Sequence, residues 1–176
     1  MTLTVRCATE TDAHALAELA ARTFPLACPA GTSAQDIADF IASNLTANHF
    51  ATHLRCPTTR ALLALQDDSP VGYALLIAGD DGLPDPGFGV QGPRSAYLSK
   101  FYVLASAHGG SVSGPLLAAT LEQARELRAN SVWLAVNQQN SRAIRFYEKS
   151  QFVRVGTKTM QVGNELHADF VYQIVV

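Results

Sequence analysis

A run of small residues, Ala105-Ser106-Ala107-His108-Gly109-Gly110-Ser111, stands between an apolar stretch from Ala96 to Leu104 and an amphipathic one from about Gly114 to Ala129. Strand, small-residue turn and helix in that order offer unpaired backbone N–H groups and the positive end of a helix dipole, a setting that suits a diphosphate. Small side chains let an anion approach the backbone, and Pro115 in the first turn gives up no helical hydrogen bond. Further on, Val132-Trp133-Leu134-Ala135-Val136 reads as a buried strand ending at Asn137, and Asn140 caps a short helix. Tyr147 follows Asn140 by close to two helical turns, so the two share a face. Ser111 and Ser113 lack the His/Asp neighbours that a nucleophile needs and read as helix caps. His49 and His53 have ligand-like spacing without a third ligand, so no metal is expected.

The remaining elements follow from periodicity and breakers. Thr2 to Cys7 alternates as a strand, and Thr11 or Asp12 caps a helix carrying Leu16, Leu19, Ala20 and Phe24, ended by Pro25, Pro29 and Gly31. Ile37, Phe40, Ile41 and Leu45 predict a second helix over Ser33 to Asn48. Arg60 to Gln66 and Val71 to Ala78 form an antiparallel hairpin about Asp67-Asp68-Ser69-Pro70. Gly79 to Arg94 carries five glycines and three prolines and reads as a functional or mobile loop. Strands near Phe152–Lys158 and His167–Val175 close the chain. The order βααββ–β–loop–α–β–α–ββ, without repeat or linker, describes one domain over residues 1–176.

Composition excludes several classes. With 48% hydrophobic and 16% charged residues the chain is globular. A net charge of −2 leaves no basic footprint for nucleic acid and no polybasic segment for a membrane surface. Arg6, Glu10 and Asp12 interrupt any secretory segment, and the longest apolar run, Tyr73 to Ala78, is too short to span a bilayer. Cys7, Cys28 and Cys56 are too few and too irregular for a disulfide framework, so a reducing, cytoplasmic setting is expected.

The run from Asn140 to Phe152, NSRAIRFYEKSQF, resembles the Asn-x-x-Ala-x-x-x-Tyr-x-x-x-Gly-Phe signature of the GNAT superfamily of N-acetyltransferases. The block from Phe101 through Leu117 is similar to that family's diphosphate-binding motif, in register upstream. Phe152-Val153-Arg154-Val155-Gly156, with Asp169-Phe170-Val171, looks most like the bacterial polyamine (spermidine/spermine) acetyltransferase branch. The resemblance implies an α/β protein of α+β type, with a mixed, mostly antiparallel sheet of about seven strands flanked by about four helices.

It also implies an enzyme that moves an acetyl group from acetyl-coenzyme A to an amine by direct attack. The acceptor is a polyamine, another small amine or a protein lysine, and a homodimer is left open. Phe101, Tyr102 and Val103 would part from the fifth strand and offer backbone groups to the pantetheine arm, one N–H polarising the thioester carbonyl. His108, Gly109, Gly110, Ser111, Val112 and Ser113 would cradle the diphosphate. Asn140 would hold the pantetheine or its helix, and Tyr147 would contact the coenzyme and protonate its departing thiolate.

Three departures stand out. The family pattern Gln/Arg-x-x-Gly-x-Gly/Ala becomes His108-Gly109-Gly110-Ser111-Val112-Ser113, with serines where glycine would tolerate positive φ. Gln151 replaces the glycine before Phe152, a change confined to a turn. Related polyamine enzymes carry a glutamate base on the fourth strand, but here it reads Tyr97-Leu98-Ser99-Lys100. Asp80, Asp81, Asp85, Glu165, His167 and Asp169 are the alternatives, and spacing does not choose among them. The missing carboxylate and the serines motivate a rival reading, a non-catalytic coenzyme A-binding sensor or regulatory protein.

Overall fold

Asp67 and Asp68 take φ of 47° and 66°, the left-handed pair that a two-residue hairpin turn requires. The turn is therefore two residues long, and Ser69 and Pro70 already belong to the returning strand. Strand β1 (Leu3–Cys7) pairs antiparallel with β2 (Thr59–Gln66), which turns back into β3 (Ser69–Ile77). Pro70 pairs with Leu65 beside an irregularity at Ala64/Leu65, where a residue without an N–H is tolerated. The computed structural model describes the whole chain except Gly163 and the side chains of Met160, Val162 and Glu165.

Three helices join β1 to β2. Helix α1 (Ala13–Ala27) runs through Pro25 instead of stopping at it. The proline falls in the last turn, and Phe24 is held by stacking on Phe40 at 4.4 Å. The helix ends where Cys28, extended at φ −72° and ψ 142°, meets Pro29. Asp12 holds the N-cap position of α1 but makes no side-chain cap bond there; its carboxylate instead closes a capping box with Thr9 one turn earlier. The single helix expected over Ser33 to Asn48 is two, α2 (Ala34–Asn44) and α3 (Ala47–Arg55). Ser33 caps the first, accepting from the Asp36 amide at 3.0 Å. Thr46 starts the second through a capping box with His49.

β4 (Ser95–Val103), helix α4 (Ser113–Glu126), β5 (Ser131–Asn137), helix α5 (Ser141–Lys149), β6 (Val153–Val162) and β7 (Glu165–Val175) complete the chain. The seven-stranded sheet has the order β1-β2-β3-β4-β5-β7-β6, antiparallel throughout except for the parallel β4–β5 pair. Neighbouring residues of β3 show which helices cover which face. A side chain at Gly72 would meet Leu116 of α4, whereas Tyr73 meets Phe50 of α3 edge-on at 5.9 Å. Leu16, Leu19 and Ala20 of α1 and Leu116, Leu117 and Ala124 of α4 fill the core on either side.

The segment from Gly79 to Arg94, which its composition marks as functional or mobile, is docked against the sheet. Trp133 donates its indole N–H to the Gly82 carbonyl at 2.8 Å. The Gln173 amide accepts from the Gln91 N–H at 2.9 Å and donates to its carbonyl at 2.7 Å. Glycine allows this closeness: a Cβ on Gly156 would lie 2.1 Å from the Phe88 carbonyl oxygen. Among the described residues, no helix is long and apolar enough to cross a membrane.

Candidate active site

The β4–β5 ladder holds only Ser95↔Ser131, Ala96↔Val132 and Tyr97↔Trp133. Beyond Tyr97 the two strands have no pairing with each other, so the gap widens towards Val103 and Asn137. β4 bonds on its far side to β3 as far as Val103, which pairs with Gly72. The edge of β4 that carries Phe101, Tyr102 and Val103 therefore faces the gap without a partner strand.

The small-residue turn lies at the wide end. Gly109 takes the left-handed conformation, φ 73°, whereas neither Ser111 nor Ser113 has positive φ. The serines therefore replace the family glycines without backbone strain. They do not cap α4, however: the N-cap residue is Val112, and it receives no side-chain cap bond. Gly114 has open space around it, and a Cβ on Gly110 would touch only the Ala107 carbonyl oxygen, at 3.3 Å. The first amides of α4 thus remain without side-chain caps.

The His108 side chain bridges two elements. Its Nε2 donates to the Val103 carbonyl at 2.6 Å, which leaves Nδ1 as an acceptor for an Arg142 guanidinium N–H. One imidazole therefore ties the end of β4 to the first turn of α5 and holds an exposed cation beside the turn. Sequence reasoning missed Arg142, because an arginine in the first turn of a helix is ordinarily just solvated; the one available signal was its place directly after Ser141 in the same signature.

Asn140 caps α5, its Oδ1 accepting from the Ala143 amide at 3.2 Å. At the other end of α5, Gln151 adopts φ 72° and closes a Schellman motif. Phe152 donates its amide to the Tyr147 carbonyl at 3.0 Å, and Gln151 donates to Glu148 at 3.1 Å. Tyr147 is held in an aromatic nest: Phe101 of β4 at 6.3 Å, Phe146 at 5.4 Å and Phe152 at 5.4 Å. Its ring is 7% exposed, and its hydroxyl has no hydrogen-bond partner among the described residues. Burial, helped by the nearby Tyr102 phenol, pushes the Tyr147 hydroxyl well above the usual tyrosine range. A phenol so placed stays protonated and remains a donor.

The opposite face of the gap carries Tyr97, stacked on Trp133 at 4.2 Å, together with Tyr102 and Asp169. Burial first, then the neighbouring Tyr97, Cys28 and Asp169, pushes the Tyr102 hydroxyl up to about 12. Asp169 sits on β7 directly opposite Asn137, at the open end of β5, and opposite Lys158 of β6. It is 6% exposed, and its Oδ1 has no hydrogen-bond partner among the described residues. Of the other acidic candidates, Asp80, Asp81 and Asp85 are exposed on the docked segment, and the Glu165 side chain lies outside the described residues. β4 itself offers a cation: burial lowers the Lys100 pKa, and its Nζ donates to the Ser99 hydroxyl at 3.3 Å. His49 is engaged in capping α3, its Nδ1 2.6 Å from the Thr46 hydroxyl.

A cavity of about 530 Å³ at the other end of the sheet, against Gln91, Asn130, Gln151 and Gln173, is lined by no titratable side chain. It has no part in this chemistry.

The sequence profile of the Acetyltransferase (GNAT) family matches residues 13–152. Uncharacterized N-acetyltransferases of Mycobacterium tuberculosis and Mycobacterium bovis are 42% identical over 161 residues, which is 92% of this chain and 96% of theirs. Among solved structures, the PaiA N-acetyltransferase of Thermoplasma acidophilum in complex with coenzyme A superimposes with a TM-score of 0.78 at 17% identity, covering 100% of both chains. A ribosomal-protein-alanine N-acetyltransferase of Brucella melitensis follows with a TM-score of 0.66 at 23% identity, over 98% of this chain and 99% of that one. Those two likenesses are of fold, while the profile and the mycobacterial relatives carry the family: the chain belongs to the Acetyltransferase (GNAT) family.

Proposed function

We propose that this acetyltransferase moves the acetyl group of acetyl-coenzyme A onto an amine by direct attack, with Tyr147 as the acid for the leaving thiolate. The observation that carries this reading is the parting of β4 from β5 beyond Tyr97, with the Tyr147 ring against Phe101 at its edge. An extended pantetheine laid in the gap can bond to the free edge of β4 as a further strand would, and a backbone N–H there can polarise the thioester carbonyl. At the wide end, the uncapped first turn of α4 and the backbone from His108 to Ser113 suit a diphosphate, and Arg142 supplies a countercharge. Asn140 keeps α5, and so Tyr147, in place.

The raised pKa of Tyr147 fits its role. The thiolate leaves into the same apolar nest, so its own basicity rises and a phenol held protonated can meet it. Among acceptors, the similarity of the segments around Phe152–Gly156 and Asp169–Val171 to the polyamine branch supports a polyamine, ahead of other small amines or a protein lysine. A buried carboxylate at the gap, Asp169, supports catalysis over the coenzyme-sensing alternative, since a sensor has no use for its desolvation penalty.

The test is thiol release from acetyl-coenzyme A with spermidine, spermine, simple primary amines and lysine-containing peptides. Release that depends on the amine is expected. Tight binding of acetyl-coenzyme A with no release for any amine would favour the sensor.

A further inference from the structure

The enzymatic reading leaves one component without a residue. A primary ammonium, with a pKa near 10, must lose a proton before its nitrogen can attack a thioester. β4 provides no carboxylate for this, so the base has to come from elsewhere around the gap.

We propose that Asp169 is this base, and that its unpartnered Oδ1 is the atom that receives the acceptor ammonium. The inference rests on the acetyl-transfer reading above. Three observations converge on the residue. Its register opposite Asn137 puts it where β5 has already left β4, on the face that also carries Tyr97 and Tyr102. It lies within electrostatic reach of the phenols of both those β4 tyrosines, across the opening from them. Its Oδ1 is buried without a hydrogen bond, a state that costs free energy unless a donor arrives, and an ammonium is such a donor.

Tyr102 lies between the two ends of the reaction. Its phenol is within electrostatic reach of Tyr147, on the α5 side, and of Asp169, on the other. The acid and the base thus approach the thioester from opposite faces of the sheet. The protons balance in this arrangement. The ammonium gives its first proton to Asp169, which returns it to solvent, and the freed lone pair forms the C–N bond. The C–S bond of the tetrahedral adduct then breaks; Tyr147 protonates the coenzyme A thiolate and is restored by the second proton shed from nitrogen.

The charged and titratable neighbours set the expected pH behaviour. Desolvation raises the Asp169 pKa above the usual carboxylate range, opposed by Lys158 from β6 and by His167 on its own strand; from β4 it faces Tyr97 and Tyr102. The ionised form is the active one, so kcat/KM should fall on the acidic side through this raised pKa. Because the folded pKa lies above the unfolded one, ionisation of Asp169 lessens stability as pH rises through that range.

The experiment compares wild type with Asp169→Asn and Asp169→Glu. Measured quantities are coenzyme A affinity by calorimetry, melting temperature against pH, amine-dependent thiol release, and slow acetyl-coenzyme A hydrolysis without amine, in which water replaces the acceptor. Asp169→Asn should bind coenzyme A within a few-fold of wild type. It should melt no lower at neutral pH, lose turnover and hydrolysis by roughly 10²-fold or more, and lose the acidic limb of kcat/KM. Asp169→Glu should recover part of the rate and keep a displaced acidic limb. Turnover of Asp169→Asn near wild type, or an unaltered acidic limb, overturns the assignment while leaving acetyl transfer intact. If Asp169→Asn fails to fold, Asp169→Glu carries the comparison, and an unshifted acidic limb in that variant likewise overturns it. Coenzyme A binding with neither turnover nor hydrolysis in wild type overturns both this assignment and the acetyl-transfer reading.

Discussion

Phe152 and Tyr147 are joined twice: by the Phe152 amide to the Tyr147 carbonyl at 3.0 Å, and by an edge-on ring contact at 5.4 Å. The turn that ends α5 is therefore also the device that fixes the proposed acid. Tyr147→Phe keeps the ring and the backbone bond and removes only a hydroxyl without a partner. Stability should change by about 1 kcal/mol or less, and acetyl-coenzyme A affinity should stay within a few-fold. Turnover at saturating cofactor should drop by roughly 10²-fold, measured as kcat in the thiol-release assay. Unchanged kcat would mean that the thiolate leaves without Tyr147.

Gln151 holds the left-handed position that makes this contact possible. A non-glycine residue there costs about 1 kcal/mol, partly offset by the greater freedom that glycine has in the unfolded chain. Gln151→Gly should leave the protein as stable or slightly more so, with kcat unaltered. Gln151→Val, with a branched side chain at the same φ, should lower the melting temperature. A marked loss of stability in the glycine variant would show that the Gln151 side chain, and not its backbone, matters.

Gly110 offers a direct probe of the diphosphate position. Gly110→Asp places a carboxylate beside the proposed phosphates, where like charges repel and a side chain blocks close approach. Coenzyme A binding should be abolished while the fold survives, since only the Ala107 carbonyl stands near the new Cβ. The double variant Ser111→Gly with Ser113→Gly should bind within a few-fold of wild type, because neither serine is strained. Normal calorimetric affinity in Gly110→Asp would put the diphosphate elsewhere.

Arg142 yields a prediction that depends on salt. If its guanidinium faces the phosphates, Arg142→Ala should weaken coenzyme A binding by roughly 10-fold, the order expected of one charge-assisted contact. The loss should shrink as ionic strength rises. His108→Gln keeps one amide donor for the Val103 carbonyl and should weaken binding less. Equal affinity for wild type and Arg142→Ala at low salt would leave the cation only a structural tie to His108.

Much of this was legible from residue order. The two aspartates announced the hairpin, and the Asn140-to-Phe152 run announced α5 with its tyrosine. The break between α2 and α3 was not, because Ile37, Phe40, Ile41 and Leu45 keep helical period up to the point where Thr46 starts a new cap. The partner in that cap is His49, where the usual signal is Glu or Gln. The glycines of the 79–94 segment suggested a functional or mobile loop, but Gly82 and Gly89 serve close packing, a Cβ on them falling 2.1 Å from the Ile77 carbonyl oxygen and 2.3 Å from that of Val155, which appears only once distant strands are brought together. By spacing Asp169 is one of six candidates for the base, and only strand register places it opposite Asn137 at the open end of β5. No local pattern encodes that, because the pairing is a property of two distant segments.

The three-rung junction between β4 and β5 has a mechanical consequence. Four strands on one side and three on the other behave as two panels whose backbones are riveted at a single end, the open end being spanned only by side chains such as His108 with Arg142 and Phe101 with Tyr147. A coenzyme that lodges there and bonds to both panels acts as a second rivet. Loading it should stiffen the protein well beyond its footprint, slowing amide exchange along β5 and β7 as well as beside the ligand.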